Sequence, residues 1–243
     1  MSNLSPMPNF KLIGHRGAAG LAAENTLESF ITAAAQGLNW IEFDIRLTKD
    51  QAWAVIHDAT VDRTTTASGA INMLSLAEIK QLDSGKIPSL QEALAVSKQY
   101  SLCTNIEVKG SELNSAKHAD LLLEFIHANL AINSPSFIIS SFDLTFLKIL
   151  RVKNSRIAIS YLIKKISNQS IQIAYENNFT TVNCYFNNLK IADLDMAKKY
   201  SIPVLVYTIN DPKIAKFWLS HGVAAVFTDR PDLLKTCSAT NIN

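Results

Sequence analysis

The chain has 243 residues, of which 48% are hydrophobic and 18% charged, with a formal net charge of +2. That apolar content supports a sizeable core and excludes an intrinsically disordered chain, while the small charge, without a dense Lys/Arg run, excludes a footprint for nucleic acid or an anionic membrane surface. Three cysteines, Cys103, Cys184 and Cys237, lack metal-ligand spacing and are too few for a disulfide framework; the two in strand-like runs are expected to be buried thiols.

The first ten residues, "MSNLSPMPNF", have neither a basic start nor a continuous apolar stretch, so they read as neither a secretory signal nor an anchor. No segment reaches about 18 consecutive apolar residues, and a cytoplasmic protein without a stable membrane anchor is expected. "FKLIG" then reads as a strand that ends at His15 and Arg16, followed by Gly17 and Gly20, whose freedom lets the chain turn close to a ligand. Asn25 and Glu28 have capping-box spacing ahead of a helix predicted over 26–36.

Next come "WIEFDIRL" and "AWAVIH", both strand-like. The stretch that follows, "HDATVDRTTTASGAINMLSLAEIKQLDSGKIP", has no strong strand and is too long for an ordinary connection; residues 58–88 are expected to form a small insertion over one mouth of the fold. Beyond it, "TNIEVK", "FIISSF", "RIAISYL", "TTVNCYF", "PVLVYTI" and "AAVFTD" alternate with helices predicted at 90–100, 115–129, 144–151, 168–177, 191–200, 213–221 and 232–236. Pro212 and Pro231 suit first-turn positions, and Gly37 and Gly222 suit left-handed helix ends. Eight βα units closing on themselves give a (β/α)8 TIM barrel as one domain over 1–243; an open doubly wound sheet would offer a Gly-rich phosphate turn, which is not found.

Alternation within "WIEFDIRL" sends Ile41, Phe43, Ile45 and Leu47 to the helix side and Trp40, Glu42, Asp44 and Arg46 to the barrel interior. In "TNIEVK" the same parity turns Asn105, Glu107 and Lys109 inward. Two acids on one strand face, roughly 6–7 Å apart, repel by about 2–3 kcal/mol at an effective dielectric of 20. Three inward carboxylates with no Cys or His spacing suit one hard divalent cation, Mg²⁺ or Ca²⁺. Ion pairing with Arg46 and Lys109 is the competing account of the same acids. His57 closes "AWAVIH" and His15 closes the first strand, so both are expected at the C-terminal mouth with Arg16 and Lys109. Acids with a cation, two basic side chains for phosphate oxygens and two imidazoles for proton exchange describe phosphoester cleavage. His118 and His127 are expected on a solvated helix surface, and His221 at a helix C-terminus.

The ordered set "GHRG", "ENT", "EFD", "HD", "RTT", "IPSL", "IEVK", "SSF", "YTIN" and "TDRPD" resembles the glycerophosphodiester phosphodiesterases, TIM-barrel hydrolases, over nearly the whole chain. The resemblance implies hydrolysis of a small-molecule glycerophosphodiester, such as glycerophosphocholine or glycerophosphoethanolamine, to sn-glycerol 3-phosphate and an alcohol. It implies that Glu42, Asp44 and Glu107 hold the cation, that His15 and His57 are acid and base, and that Arg16 and Lys109 contact the phosphate. Glu24, Asn25, Phe142 and Tyr207 would border that set, with Asn25 either a helix cap alone or a cap that also serves the site. Tyr207 stands where a Trp is common, Ala224 and Ala225 replace an Asp-Gly pair, and the insertion is compact. A lysophospholipase D or cyclising phospholipase of the same barrel type, and a noncatalytic phosphodiester-binding barrel, are the alternatives.

Overall fold

The computed structural model describes residues 11–82, 86–130 and 136–238. The N-terminal reading of "MSNLSPMPNF" and the "DSG" of the insertion lie outside the described residues. Eight of the described strands run parallel and close on themselves: β1 (Leu12–Gly14), β2 (Trp40–Leu47), β4 (Cys103–Val108), β5 (Phe137–Ser141), β6 (Ile159–Ile163), β7 (Thr181–Tyr185), β8 (Val204–Tyr207) and β9 (Ala225–Thr228). The closing pair sets Gly14 against Ile41, and β1 pairs on its other edge with β9, Ile13 opposite Phe227. This is the expected (β/α)8 TIM barrel. Helices α1 (Leu27–Ala35), α3 (Leu90–Gln99), α4 (Ser115–Asn129), α5 (Leu144–Lys153), α6 (Asn168–Glu176), α7 (Ile191–Lys199), α8 (Pro212–Ser220) and α9 (Pro231–Ser238) follow the barrel strands. A shorter helix, α2 (Leu76–Gln81), lies in the insertion.

Strand parity builds two separate cores. Ile41, Phe43 and Ile45 of β2 join Ile106 and Val108 of β4 in the layer between barrel and helices, where the rings of Phe30 and Phe43 lie 5.3 Å apart. The opposite parity puts Ile13, Trp40, Ile138, Leu205, Ala225 and Phe227 inside the barrel. Trp40 and Ala225 open their strands, so this apolar plug starts at the N-terminal end of the barrel and extends to Phe227, which reaches the C-terminal cavity. Helix ends are chemically punctuated: Ser89 and Glu92 form a capping box on α3, Asp211 caps α8 with Pro212 in the first turn, and Gly37 and Gly222 adopt φ of 86° and 99°.

"AWAVIH" corrects the sequence expectation of another barrel strand. Its strand, β3 (Trp53–Val55), runs antiparallel to β2, with Ile45 opposite Val55 and Leu47 opposite Trp53. β2 is eight residues long, enough to pair with β1 low down and still project beyond it; β3 folds back along that projection. The outer edge of β3 is covered by the returning chain, Val55 N–H donating to the Pro88 carbonyl over 2.8 Å. Ala54 and Ile56 face away from the barrel core and seed a small apolar cluster with Val61, Ile71, Ile79 and Ile87 beneath the insertion. His118 is also corrected: it is buried against Trp53, ring centroids 5.9 Å apart, with Nδ1 2.9 Å from the Asn114 carbonyl. Of the two strand cysteines only Cys184 is fully buried; Cys103 faces the barrel interior half-buried, and the second fully buried thiol is Cys237 of α9.

Candidate active site

The C-terminal mouth holds a cavity of about 240 Å³. One side is charged, lined by His15, Arg16, Glu42, His57, Glu107 and Lys109; the other carries Phe142, Leu162, Tyr207 and Phe227, with Asn105 and Thr208 between. Every sequence-expected catalytic, phosphate and cation residue except Asp44 lines it directly. Asp44 is 1% exposed and lies under the charged side, joined to Lys109 Nζ at 3.3 Å and Arg16 Nε at 3.4 Å.

β1 delivers His15 by parity with Ile13, and the chain then turns sharply, Arg16 at φ 50° and Gly17 at φ 86°. A Cβ on Gly17 would press on the backbone and side chain of Ser29, so this turn requires glycine. Gly20 has a different part from the one expected: it lets the loop pack against the Asp229 carbonyl and the Arg230 side chain, away from the cavity. The turn aims the Arg16 N–H at Glu42 Oε2, 2.9 Å away. Asn25 is not the helix cap. Thr26 caps α1, accepting from Ser29 N–H, while Asn25 takes a left-handed φ of 57° and turns inward, donating Nδ2–H to Asp44 Oδ2 at 2.9 Å and accepting the Asp44 N–H at 3.2 Å. The helix begins one residue later than expected, at Leu27, so the cap falls on Thr26 and Asn25 is left to the site.

Each imidazole is tied by Nδ1 to its own carboxylate. His15 Nδ1 lies 2.7 Å from Asp229 Oδ1, and Asn210 donates to the other Asp229 oxygen at 3.0 Å. His57 Nδ1 lies 2.7 Å from Asp58 Oδ1. A carboxylate at Nδ1 keeps a proton there and leaves Nε2 for exchange. His57 reaches the mouth because β3 ends at Val55 and the chain then bends, with the His57 carbonyl held by Arg46 Nε–H at 2.8 Å. Arg46 therefore serves the backbone of His57, and of the two cations proposed to pair with the acids only Lys109 does, touching both Asp44 and Glu107.

Glu42, Asp44 and Glu107 each bring an oxygen within 4.8 Å of the others, and all three are buried. Burial, then the charge of Asp44, pushes the Glu42 carboxyl up to about 8 and that of Glu107 up to about 7. Asp44 goes the other way: burial would raise it, but Lys109 and Arg16 outweigh burial and hold it below the usual range. Glu42 Oε1 is buried without a hydrogen-bond partner. Oxygen donors alone, under-neutralised and close together, fit a hard divalent cation. The two histidines differ as well. Burial works against protonation of His15, yet Asp229 and Glu42 overcome it and raise its pKa, whereas burial keeps His57 below its ordinary value against Asp44 and Asp58.

Of the residues expected to border the site, Glu24 binds Arg16 Nη1 at 2.7 Å, and Phe142 and Tyr207 meet edge to face at 6.3 Å, with Lys109 Nζ 5.7 Å above the Phe142 ring. Asp58 and Asp229 were missed as imidazole partners. Both had a signal: Asp58 adjoins His57, and Asp229 shares the interior parity of Ala225 and Phe227.

Residues 15–233 match the sequence profile of the glycerophosphoryl diester phosphodiesterase family. YhdW of Bacillus subtilis (strain 168) is 30% identical over 240 residues, covering 92% of this chain and 96% of its own. The glycerophosphodiester phosphodiesterase of Caldanaerobacter subterraneus subsp. tengcongensis is 28% identical over 234 residues, with 92% and 95% covered. A phosphodiesterase from Oleispira antarctica, solved in complex with the product sn-glycerol-3-phosphate, superposes with a TM-score of 0.88 at 30% identity over 93% of this chain and 95% of its own. The family match runs from the first imidazole past its partner Asp229, and the barrel superposes on a solved phosphodiesterase over 93% of the chain: the chain belongs to the glycerophosphoryl diester phosphodiesterase family.

Proposed function

We propose that the protein is a phosphoric diester hydrolase that cleaves glycerophosphodiesters, among them glycerophosphocholine and glycerophosphoethanolamine, to sn-glycerol 3-phosphate and an alcohol. The observation that carries this reading is the pair of carboxylate-bound imidazoles that border one cavity with three buried acids. Family membership and a structural neighbour holding sn-glycerol-3-phosphate support it.

In this reading Glu42, Asp44 and Glu107 hold one divalent cation, Mg²⁺ or Ca²⁺, which when bound withdraws electron density from the phosphate. Arg16 and Lys109 meet the phosphate oxygens, each already neutralised in part by Asp44. His15 and His57 divide the two proton transfers: one Nε2 accepts a proton from the attacking water, whose oxygen joins the phosphorus as the ester bond breaks, and the other returns a proton to the departing alkoxide. Asp229 and Asp58 hold the rings in place for this exchange. Phe142, Leu162, Tyr207 and Phe227 form the apolar wall against which the carbon parts of the diester lie. Residues 1–243 act as one catalytic unit in the cytoplasm, with 58–88 an insertion that supplies Asp58.

The test is release of glycerol 3-phosphate from glycerophosphocholine and glycerophosphoethanolamine, with Mg²⁺ or Ca²⁺ and with a chelator. Turnover that needs the cation and falls in His15→Ala and His57→Ala is the expected result; turnover indifferent to both would place the chemistry elsewhere.

A further inference from the structure

Arg63 lies in the first turn of the insertion and has no part in the chemistry above, yet it is the most heavily engaged cation near the mouth. Its Nε–H and Nη2–H donate to the two Asp58 oxygens at 2.5 and 3.2 Å. Its Nη1–H and Nη2–H donate to the two Glu24 oxygens at 2.9 and 2.6 Å. One planar guanidinium thus forks two carboxylates at once, a geometry that an ammonium does not reproduce. Each carboxylate also binds a functional group, through the same oxygen that accepts Arg63 Nη2–H: Asp58 Oδ1 lies 2.7 Å from His57 Nδ1, and Glu24 Oε1 2.7 Å from Arg16 Nη1. The result is an unbroken chain from His57 through Asp58, Arg63 and Glu24 to Arg16.

The anchor of Arg63 is the insertion itself. Thr64 N–H and Thr65 N–H both donate to the Val61 carbonyl, at 3.3 and 3.0 Å, and Val61 is fully buried in the small apolar cluster with Ile56, Ile71 and Ile79. The turn that presents Arg63 is therefore fixed to that cluster and not to the barrel. An isolated surface ion pair contributes little, but here the side chain is doubly forked and each of its partners is already bound to a functional group.

We propose that Arg63 is a positioning residue: through Asp58 and Glu24 it sets the His57 ring and the Arg16 guanidinium relative to each other, and this is how the insertion takes part in the site. The kinetic consequence rests on the phosphodiesterase reading; the structural one does not.

The test uses the full-length protein loaded with cation and four variants: Arg63→Met, which keeps the stem, Arg63→Lys, which keeps the charge, Asp58→Asn/Glu24→Gln, and that pair combined with Arg63→Met. By analogy with partners that orient ligating groups, Arg63→Met is expected to lower kcat by about 10-fold or more and to raise KM, with Arg63→Lys restoring only a small part. In the Asp58→Asn/Glu24→Gln background the same substitution is expected to change kcat less than about twofold, because its route of action is gone. The side-chain NMR signals of His57 and Arg16 are expected to shift in Arg63→Met and Arg63→Lys while those of His127 and His221 stay in place. An equal kcat loss in both backgrounds, full restoration by Lys, or unmoved His57 and Arg16 signals would each overturn the proposal. If the unsubstituted protein cleaves no diester, the functional reading fails, and the NMR comparison still decides for or against Arg63.

Discussion

His15 and His57 reach the cavity by different routes and end in the same arrangement, a ring fixed at Nδ1 by an aspartate. Proton transfer by a positioned imidazole contributes about 10²–10⁴-fold, so His15→Ala and His57→Ala should each lose activity on that scale in a steady-state assay, with the far-UV circular dichroism unchanged. Asn25 illustrates what a residue type alone does not settle. Asn suits both a helix cap and a left-handed turn, and only the placement of Thr26 next to it shows that the cap was already supplied. Because Asn25 orients Asp44 with two hydrogen bonds, Asn25→Ala should weaken cation binding by about 10–100-fold, measured by titration calorimetry. An unchanged affinity would return Asn25 to a purely local role.

At the level of elements, β2 and β4 were legible residue by residue because their period-2 alternation is uninterrupted: apolar residues pack under the helices and acids face inward. β3 is apolar on both faces and reads as a buried strand, yet it lies outside the barrel. Such a pattern reports that a segment is a strand, not which way it runs, and the turn at 48–52 that reverses the chain is made by Thr48 and a left-handed Gln51 that carry no strong turn signature. The antiparallel β3 descends from the projecting end of β2, so His57 reaches the expected mouth by a route other than the end of a barrel strand. His118 misleads for a related reason: it lies on the helix its period indicates, but the extra strand covers that helix face. Thr26→Ala should remove the α1 cap and cost about 1 kcal/mol in urea unfolding, leaving cation affinity intact, the reverse of Asn25→Ala.

For the whole molecule, closure of the barrel is what brings β1, β2, β4 and β9 around one mouth, and it is also what buries three acids together. In the cation-free protein, Glu42 and Glu107 titrate near 8 and 7 instead of at the ordinary 4.5. Between about pH 5 and 8 the folded chain then binds more protons than the unfolded chain, so its stability falls as pH rises through that window, by up to about 1.4 kcal/mol per pH unit for each carboxyl. The melting temperature of chelated protein should therefore drop from pH 5.5 to 8, and saturating Mg²⁺ or Ca²⁺ should flatten that slope. A chelated protein whose melting temperature rises over the same range would contradict the burial of these acids as free carboxylates.

The most direct measurement is a ³¹P NMR time course of glycerophosphocholine with the purified protein and Mg²⁺ or Ca²⁺. The diester signal is expected to give way to the monoester signal of glycerol 3-phosphate, to stop on chelation and to resume when the cation is restored. A diester signal that persists with every divalent cation, or that disappears regardless of chelator, would contradict cation-dependent diester hydrolysis at the mouth built by His15, Glu42, Asp44, His57 and Glu107.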